Sequence, residues 1–444
     1  PYCHYERGSE MNIRLALLLL LAGTPVLTGA YPIDGYPETG IRRVEGERLI
    51  DEGVIKGRQQ PAGARLTTAE VDLRLLDHKD MELPAPDPAF TRQIAKLLGG
   101  NAGRYGLAVL DISDPDNHRY AEHRGDFRQN VGSVGKLLVA LGLFQALADT
   151  WPDDLDKRTR VLKDTRVIAD EFSRGDHHKI RVFDVETQTL NRRIMKDGDQ
   201  GSLWEYLDWM LSASANSAAA MTMREAMLLR QYGKNYPPPE DEIQRFFKET
   251  PKQELTALFQ QTFFEPVTRN GLDLEQLRQG SFFTRTGKQK VPGGGNSYGT
   301  ARELVKFTLR MEQGRLVDEY SSRQIKRLLY MTERRIRYAS SPALRDSAVY
   351  FKSGSLYSCK EEPDFKCGKY MGNVKNYMNS LAIIETNTGG RRLDYIAALI
   401  SNVLRVNSAV DHQTLGTRIH RIMERAHPVS VPEPPASTET GVRP

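Results

Sequence analysis

Ser133-Val-Gly-Lys136, Ser214-Ala-Asn216 and Lys352-Ser-Gly354 are the three short stretches that decide how this 444-residue chain is interpreted. A serine hydroxyl is a weak nucleophile at neutral pH, and it needs a base within hydrogen-bonding distance. Lys136 follows Ser133 by three residues, which places both side chains on one face of a helix. The first stretch therefore predicts a nucleophile, Ser133, and its base, Lys136.

The helix that follows Ser133 is predicted to be buried. Its residues are apolar on nearly every side, which is typical of a core helix: Leu137, Leu138, Ala140, Leu141, Phe144, Leu147 and Ala148. Burial lowers the pKa of a lysine, as a general base requires. In the first helical turn, free backbone N–H groups also favour negative charge near Ser133. For an isolated match, the alternative is a helix start with an exposed lysine.

The other two stretches are weaker signals when taken alone. Ser214 and Asn216 lie between two helical patterns, and on an extended turn both side chains would face one cleft. The alternative is that they cap the second helix. Lys352-Ser-Gly354 ends in the β-branched and aromatic run 349–357, which predicts a strand. Gly354 would allow close backbone approach, so that a substrate could pair along the strand edge.

Together and in this order, the three stretches resemble the penicillin-recognising serine hydrolases. This superfamily contains the serine β-lactamases and the D-alanyl-D-alanine peptidases called penicillin-binding proteins. The run 214–219 is similar to the S-D-N-T-A-A stretch of class A β-lactamases, and the run 300–305 is similar to their helix before the KTG strand. The resemblance covers residues 88–426. It implies an α+β fold in which an antiparallel five-stranded sheet flanked by helices adjoins a mostly helical subdomain, with the active site between them.

The resemblance also implies a role for each catalytic residue. Ser133 would be acylated, Lys136 would be its base, and Ser214 would pass a proton to the leaving nitrogen. The backbone N–H groups of Ser133 and Ser355 would form the oxyanion hole. Glu265 would be the general base for deacylation, although 265–270 is one residue longer than the E-x-x-x-N element of class A enzymes. The alternative for Glu265 is a solvated loop carboxylate.

Substrate binding is implied for the remaining residues of the three stretches. Asn216 would hold the substrate's side-chain amide. Lys352 would polarise Ser214 and attract the substrate carboxylate, Ser353 and Ser355 would offer hydroxyls to that carboxylate, and Gly354 would let the substrate approach the strand. The run 378–385 lacks the arginine that class A enzymes often carry on this strand. Carboxylate recognition is therefore expected to differ.

Three functions remain open at this level. The first is an exported serine hydrolase that opens β-lactam amides through an acyl-enzyme, as class A β-lactamases do. The second is a D,D-carboxypeptidase, a penicillin-binding protein that acts on peptidoglycan stem peptides. The third is a non-catalytic cell-wall binding protein of the same fold. All three imply a small-molecule or stem-peptide partner and no cofactor.

Composition argues against other classes of function. The net charge is only +5, and no basic run is interleaved with aromatic residues, so nucleic acid is not an expected partner. His177-His178, His118 and His123 do not have the spacing of a zinc site, so no metal site is predicted. Gly135-Lys136 does not complete a phosphate-binding loop, because Leu137 stands where a serine or threonine is needed.

Changes in composition along the chain predict how it is divided into regions. Residues 1–10 precede Met11 and are interpreted as upstream translation or a misplaced start. Residues 11–30 have the charge and apolar pattern of a cleavable signal peptide, too short to span a membrane, which predicts a periplasmic or secreted protein. Export makes a disulfide between Cys359 and Cys367 the expected state.

Three further regions follow the signal peptide. Residues 31–87 are predicted to be an N-terminal extension of unknown role, with a helix at 41–55. Residues 88–426 are predicted to be the catalytic domain, beginning with a helix at Pro88 and a strand at 105–112, and ending with a hairpin and a closing helix. The tail 427–444 is rich in Pro, Ser, Thr and Glu and is predicted to be disordered.

Overall fold

The structure is a computed structural model that describes residues 33–333, 335–388 and 391–429. The predictions for residues 1–10, for the signal peptide and for the tail after residue 429 lie outside these described residues.

Eleven strands form one large sheet and three small ones in the described part of the chain. The large sheet is antiparallel throughout and has the strand order β2-β1-β11-β10-β9, so β9 lies at an edge. The small sheets pair β3 with β6, β4 with β5, and β7 with β8. The strands are β1 Tyr105–Asp111, β2 Arg119–His123, β3 Arg166–Ile168, β4 Lys179–Asp184, β5 Thr189–Ile194, β6 Gln200–Ser202, β7 Leu277–Arg278, β8 Tyr298–Gly299, β9 Ala348–Ser358, β10 Lys375–Thr388 and β11 Arg391–Asn402.

The α-helices lie on both faces of the large sheet and form a mostly helical part beside it. They are α1 Tyr36–Thr39, α2 Arg42–Asp51, α3 Pro88–Lys96, α4 Lys136–Thr150, α5 Leu155–Asp164, α6 Leu203–Leu211, α7 Asn216–Tyr232, α8 Glu240–Glu249, α9 Lys252–Phe263, α10 Glu265–Arg269, α11 Arg285–Lys290, α12 Ala301–Glu312, α13 Glu319–Tyr330 and α14 Ser408–Ala426.

Alternation along the strands builds a separate hydrophobic core on each face of the large sheet. Successive residues of a strand point to opposite faces. In β1, Leu107 and Val109 pack with the apolar sides of α3 and α14, whereas Ala108 and Leu110 join the larger core with the remaining helices. The α+β fold expected from the resemblance is therefore confirmed, with the helices α3 and α14 on one face of the sheet.

Helix α4 is the centre of the larger core. Twelve of its fifteen residues, from Lys136 to Leu147, are buried. The stretch Gly132–Thr150 is long and apolar enough to cross a bilayer, but 83% of it is buried inside the protein. Within the described residues no other helix passes this test, and α4 is the core helix that the sequence predicts.

The N-terminal segment 33–87 packs against the helical part through buried ion pairs. The predicted helix at 41–55 is present as α2, and its Arg43 is 5% exposed. The Arg43 guanidinium donates to both carboxylate oxygens of Asp208 in α6, at 2.8 and 2.5 Å, and to the backbone carbonyl of Met331 at 2.9 Å. This guanidinium therefore joins α2 to α6 and to the chain that follows α13.

A second buried charge cluster joins the same segment to the large sheet. The Lys326 ammonium is fully buried and contacts Glu312 at 2.8 Å and Glu385 at 2.5 Å. Arg74 of the N-terminal segment adds a second cation to Glu385 at 2.8 Å. Burial opposes ionisation, but these cations keep the pKa of Glu385 below its usual value.

The predicted disulfide is present. Cys359 and Cys367 are bonded, with their Cα atoms 6.2 Å apart, in the connection between β9 and β10. The same connection carries Lys369 and Tyr370 to the cleft described below.

Arg43→Met is expected to destabilise the full chain by about 3–5 kcal/mol, because it leaves the buried Asp208 carboxylate without its cation. Denaturant unfolding followed by circular dichroism measures this change. Arg48→Ala is the matched control in the same helix, because Arg48 is 31% exposed and bonds only the exposed-side carboxylates of Glu45 and Glu52. It should cost less than about 1 kcal/mol. Equal costs for the two variants would contradict a structural role for Arg43.

Candidate active site

Ser133 and Lys136 lie together where the chain enters α4. A single 3-10 turn, Gly132–Gly135, precedes this helix and carries Ser133. The Lys136 Nζ atom lies 2.8 Å from Ser133 Oγ. Lys136 Nζ also donates to the backbone carbonyl of Ser214 at 2.9 Å and to Asn216 Oδ1 at 2.7 Å. The amine is thus held by one hydroxyl and two carbonyl-type acceptors.

This arrangement fits a neutral amine. Burial lowers the pKa of Lys136 to about 7, although the negative charge of Asp176 opposes the shift. A neutral amine has two hydrogens and one lone pair. The Ser214 and Asn216 oxygens accept the two hydrogens, so the lone pair faces the Ser133 hydroxyl. Lys136 can therefore receive a proton from Ser133.

The turn that carries Ser214 is not extended, in contrast to the expectation from the sequence. Ser214 has φ +60°, a left-handed conformation that costs a non-glycine residue free energy and clusters at functional sites. Asn216 is already the first residue of α7. The turn nevertheless brings the backbone oxygen of Ser214 and the side chain of Asn216 to one amine, because both accept from Lys136 Nζ.

Asp176 caps the start of α7, a role that the sequence assigns to Ser214 or Asn216 as an alternative. The residue before α7 is Ala215, which has no side-chain acceptor. Asp176 Oδ2 accepts instead from the backbone N–H groups of Asn216 at 2.6 Å and Ser217 at 3.0 Å. These bonds, and a bond to His178, keep the pKa of the buried Asp176 carboxyl well below its usual value despite desolvation. A carboxylate from 40 residues earlier in the chain thus fixes the start of α7, where Asn216 lies.

Lys352 reaches the same turn from the edge strand β9. Its Nζ donates to Ser214 Oγ at 2.9 Å, and the residue is 3% exposed. Burial, with smaller contributions from the charges of Lys136 and Arg337, lowers the pKa of Lys352 well below its usual value. The amines of Lys136 and Lys352 therefore both bond the Ser214 residue, and Arg337 is near enough for its charge to act on Lys352. A substrate anion in this place would favour the charged form of both amines.

Arg337 supplies the guanidinium that the run 378–385 lacks. It lies in a short 3-10 turn, Arg337–Ser340, between α13 and β9. Its two terminal nitrogens donate to the hydroxyls of Ser353 at 2.7 Å and Ser355 at 2.9 Å. An arginine can thus meet a substrate carboxylate beside both serines, although it comes from a different element than the resemblance implies.

Gly354 brings β9 into direct contact with the turn that holds the nucleophile. A Cβ atom on Gly354 would lie 2.1 Å from the Val131 carbonyl oxygen and 2.6 Å from the Ser133 nitrogen. A Cβ atom on Gly132 would lie 3.3 Å from the Ser355 nitrogen. No side chain fits at position 354 without moving the backbone. The backbone nitrogens of Ser133 and Ser355 therefore belong to two chain segments in close contact.

These residues line one cleft of about 790 Å³ between β9 and the helical part. The cleft includes Ser133, Ser214, Asn216 and the stretch 352–355. Its lining continues over His177 and His178 on one side, Phe282 and Phe283 on another, and Lys369 and Tyr370 near Arg337. The Phe283 ring centroid lies 4.5 Å from Lys136 Nζ.

Glu265 is not in this cleft, and its predicted role as the deacylating base is not supported by its position. It is the first residue of α10, its side chain is 45% exposed, and it faces Arg269 at 3.7 Å. Arg269 in turn binds Asp149, which lies near the far end of α4, about 20 Å along the helix axis from Lys136. The extra residue before Asn270 and the short helix α10 direct this carboxylate outward.

Asp176, His177 and His178 form the one group in the described residues that could hold a metal ion, with ligand atoms within 4.8 Å of one another. The sequence does not predict this group, because adjacent histidines lack zinc-site spacing. Both oxygens of Asp176 already accept hydrogen bonds, Oδ1 from His178 Nδ1 at 2.6 Å and Oδ2 from α7. Burial lowers the pKa of His178, although Asp176 opposes the shift. These bonds favour a structural pairing over metal ligation.

Sequence patterns do not identify Arg337 and Phe283 as cleft residues or Asp176 as the residue that caps α7. Arg337 lies close in sequence to Arg335, which binds backbone carbonyls outside the cleft. Asp176 and Phe283 lie 40 residues before and 67 residues after Asn216 and have no motif of their own. One signal exists for Asp176. A helix start at Ala215 without a capping side chain implies an acceptor from elsewhere in the chain.

Among solved structures, the chain is similar to PBP-A at 14% identity and a TM-score of 0.47, covering 78% of this chain and all of that one. It is also similar to a β-lactamase from Sphaerobacter thermophilus DSM 20745, at 14% identity and a TM-score of 0.46, over 74% of this chain and 94% of that one. A class A β-lactamase from Bacteroides cellulosilyticus DSM 14838 has 13% identity and a TM-score of 0.43, over 78% and 99%.

No curated protein matched the sequence. The model of the β-lactamase enzyme family matches residues 89–389, which is more than half of the chain and includes all three motifs. The chain belongs to the β-lactamase enzyme family, and this membership supports a serine hydrolase that resembles β-lactamases and penicillin-binding proteins.

Proposed function

We propose that this protein is a serine acyl-transfer enzyme of the D,D-peptidase type, acylated at Ser133 by acyl-D-alanyl peptides and by β-lactams, and that it releases the β-lactam acyl group slowly. The observation that carries the proposal is the hydrogen-bonded set formed by Ser133, Lys136, Ser214 and Lys352 in one cleft. Acylation needs a nucleophile, a base and an acid, and this set can supply all three.

Acylation would proceed with a balanced transfer of protons. Lys136 takes the proton of the Ser133 hydroxyl as Oγ bonds to the substrate carbonyl carbon, and the backbone N–H groups of Ser133 and Ser355 receive the oxyanion. Ser214 gives its proton to the amide nitrogen as the carbon–nitrogen bond breaks, and it recovers a proton from the Lys136 ammonium. The net transfer is from Ser133 to the leaving nitrogen, and the acyl group remains as an ester.

Binding would use the two ends of the cleft. Asn216 would contact the amide of the acyl part, beside the amine of Lys136. Arg337, Lys352 and the hydroxyls of Ser353 and Ser355 would receive the carboxylate next to the scissile bond. That carboxylate would raise the pKa of Lys352 again, because an anion within hydrogen-bonding distance favours the ammonium form.

The proposed slow release of the acyl group rests on which carboxylates lie near the ester. Hydrolysis of the ester needs a base that activates water. Among the described residues, Glu333 is the one carboxylate that lines the cleft, and its side chain is 3% exposed and lies 3.7 Å from Arg181. Burial raises the pKa of Glu333, against the effect of Arg43 and Arg181. Glu265 is distant, and the Phe283 ring covers Lys136. This favours a penicillin-binding enzyme over a β-lactamase.

We also propose that the protein functions outside the cytoplasm. The Cys359–Cys367 bond supports this, because such bonds persist in oxidising compartments.

Incubation with benzylpenicillin should add one penicilloyl mass to the protein, seen by intact-protein mass spectrometry. The adduct should persist for minutes after free penicillin is removed, because the one carboxylate that lines the cleft among the described residues, Glu333, is paired with Arg181. Ser133→Ala should abolish the adduct, and Glu265→Ala should leave its rate of formation and its lifetime within about twofold of wild type. Rapid turnover of a chromogenic cephalosporin without an adduct would identify a β-lactamase instead. Neither adduct nor turnover would favour a non-catalytic protein.

The acylation rate constant should depend on pH through Lys136. Its pKa is lowered to about 7, so the ammonium form, which has no lone pair, dominates below that pH. The rate should therefore rise about tenfold per pH unit below pH 7 and level off above it. Stopped-flow acylation by benzylpenicillin measures the profile. Lys136→Arg should lose about 10²–10⁴-fold on the plateau above pH 7, since a guanidinium stays charged. Lys248→Arg, at an exposed position, is the control. A flat profile would exclude Lys136 as the base.

Gly354→Ala should slow acylation by about 10²-fold, because the added Cβ displaces the backbone of β9 from the nucleophile turn. The control is Gly103→Ala, whose Cβ would meet no atom within 4 Å. Second-order rate constants for adduct formation give the comparison, and thermal denaturation shows whether each variant is folded. If a folded Gly354→Ala protein acylates at the wild-type rate, the close contact between β9 and Ser133 does not form part of the site.

A further inference from the structure

The cleft carries more positive charge than is needed to bind the carboxylate next to the scissile bond. Lys179 at the start of β4, Arg192 in β5 and Lys288 in α11 all line it and are exposed. In the described part of the chain, none of these three has a carboxylate within the 4.0 Å of an ion pair. We call them the cation cluster.

Arg192 lies opposite another arginine, an arrangement that is electrostatically unfavourable. Its directly opposite neighbour across the β4–β5 pair is Arg181, and like charges in that relation destabilise a strand pair. Arg181 is neutralised by Glu47 and contacts Glu333, whereas Arg192 faces the cleft. Glu333, the one lining carboxylate among the described residues, is thus shared between Arg192 and the cations Arg43 and Arg181, and its single charge does not balance a cluster of three.

Two residues of the cation cluster are close in sequence to groups that adjoin Lys136 and Asn216. Lys179 directly follows His178, which Asp176 ties to the start of α7 and so to Asn216. Lys288 lies five residues after Phe283, whose ring covers Lys136. Arg337 and Lys369 belong instead to the side formed by Ser353, Ser355 and Tyr370. A substrate that spans the cleft would therefore meet cations at both of its ends.

We infer that the natural substrate is at least dianionic, with a carboxylate in its acyl part that the cation cluster binds, in addition to the carboxylate beside the scissile amide. This inference rests on the proposed function and specifies its substrate class: acidic acyl peptides, in preference to neutral ones. Lys179, Arg192 and Lys288 are specificity-determining residues in this arrangement. Exposed charges also steer an anionic substrate towards the cleft, an effect that salt weakens.

Two penicillins that differ by one carboxylate test the inference. Carbenicillin carries a carboxylate on the side-chain carbon where benzylpenicillin carries a hydrogen. The second-order rate constant of acylation at low salt should be about tenfold higher for carbenicillin. The Lys179→Ala/Arg192→Ala/Lys288→Ala variant should lose this preference, because its rate with carbenicillin should fall more than its rate with benzylpenicillin. High salt should reduce the preference in the wild-type protein.

The control is a Lys56→Ala/Lys96→Ala/Lys248→Ala variant, which removes the same charge from exposed positions outside the cleft and should keep the preference. Equal rates for the two penicillins in the wild-type protein, or a preference that survives removal of the cluster, would overturn the inference. Calorimetric titration of the Ser133→Ala protein with both penicillins gives a second readout that needs no acylation. If neither compound labels wild-type Ser133, the proposed function fails, while tighter carbenicillin binding in this titration still supports the cation cluster and equal binding still overturns it.

Discussion

The buried amine of Lys136 is the interaction on which the rest of the site depends. It lies at the start of the core helix and contacts the nucleophile, the Ser-Ala-Asn turn and the carboxamide of Asn216 at once. An amine without hydrogen-bond partners would be too costly to bury in a core of this kind. The nucleophile, the turn and the start of α7 must therefore all be correctly placed before the helix can pack. Folding and assembly of the reactive groups are the same event for these residues.

Much of this arrangement can be predicted from the sequence, because it depends on local rules. Apolar residues on every side of α4 predict its burial, and burial predicts a low pKa for Lys136. The β-branched run before Gly354 predicts the strand, and the order of the three motifs agrees with the family that the chain belongs to. The disulfide follows from two cysteines eight residues apart in one insertion.

The parts that the sequence does not reveal depend on contacts between distant residues. Arg337 takes its place through a turn between α13 and β9, and no periodicity distinguishes it from its neighbours. Asp176 caps a helix that begins 40 residues later in the chain. For Glu265, the sequence suggests a role that the position of the residue does not support. A motif with nearly the right spacing suggests a role, but one additional residue and a five-residue helix turn its carboxylate towards Arg269. Spacing is informative only while the backbone between the residues keeps one conformation.

The N-terminal segment has a consequence for the cleft that its sequence does not suggest. Arg43 bonds Asp208, six residues before Ser214, and the carbonyl of Met331, six residues before Arg337. One guanidinium therefore joins the two chain segments that lead to Ser214 and to Arg337, the proposed proton donor and anion receptor. The spacing of these two groups thus depends on a residue of the N-terminal segment, and a protein that begins at residue 88 would lack this restraint.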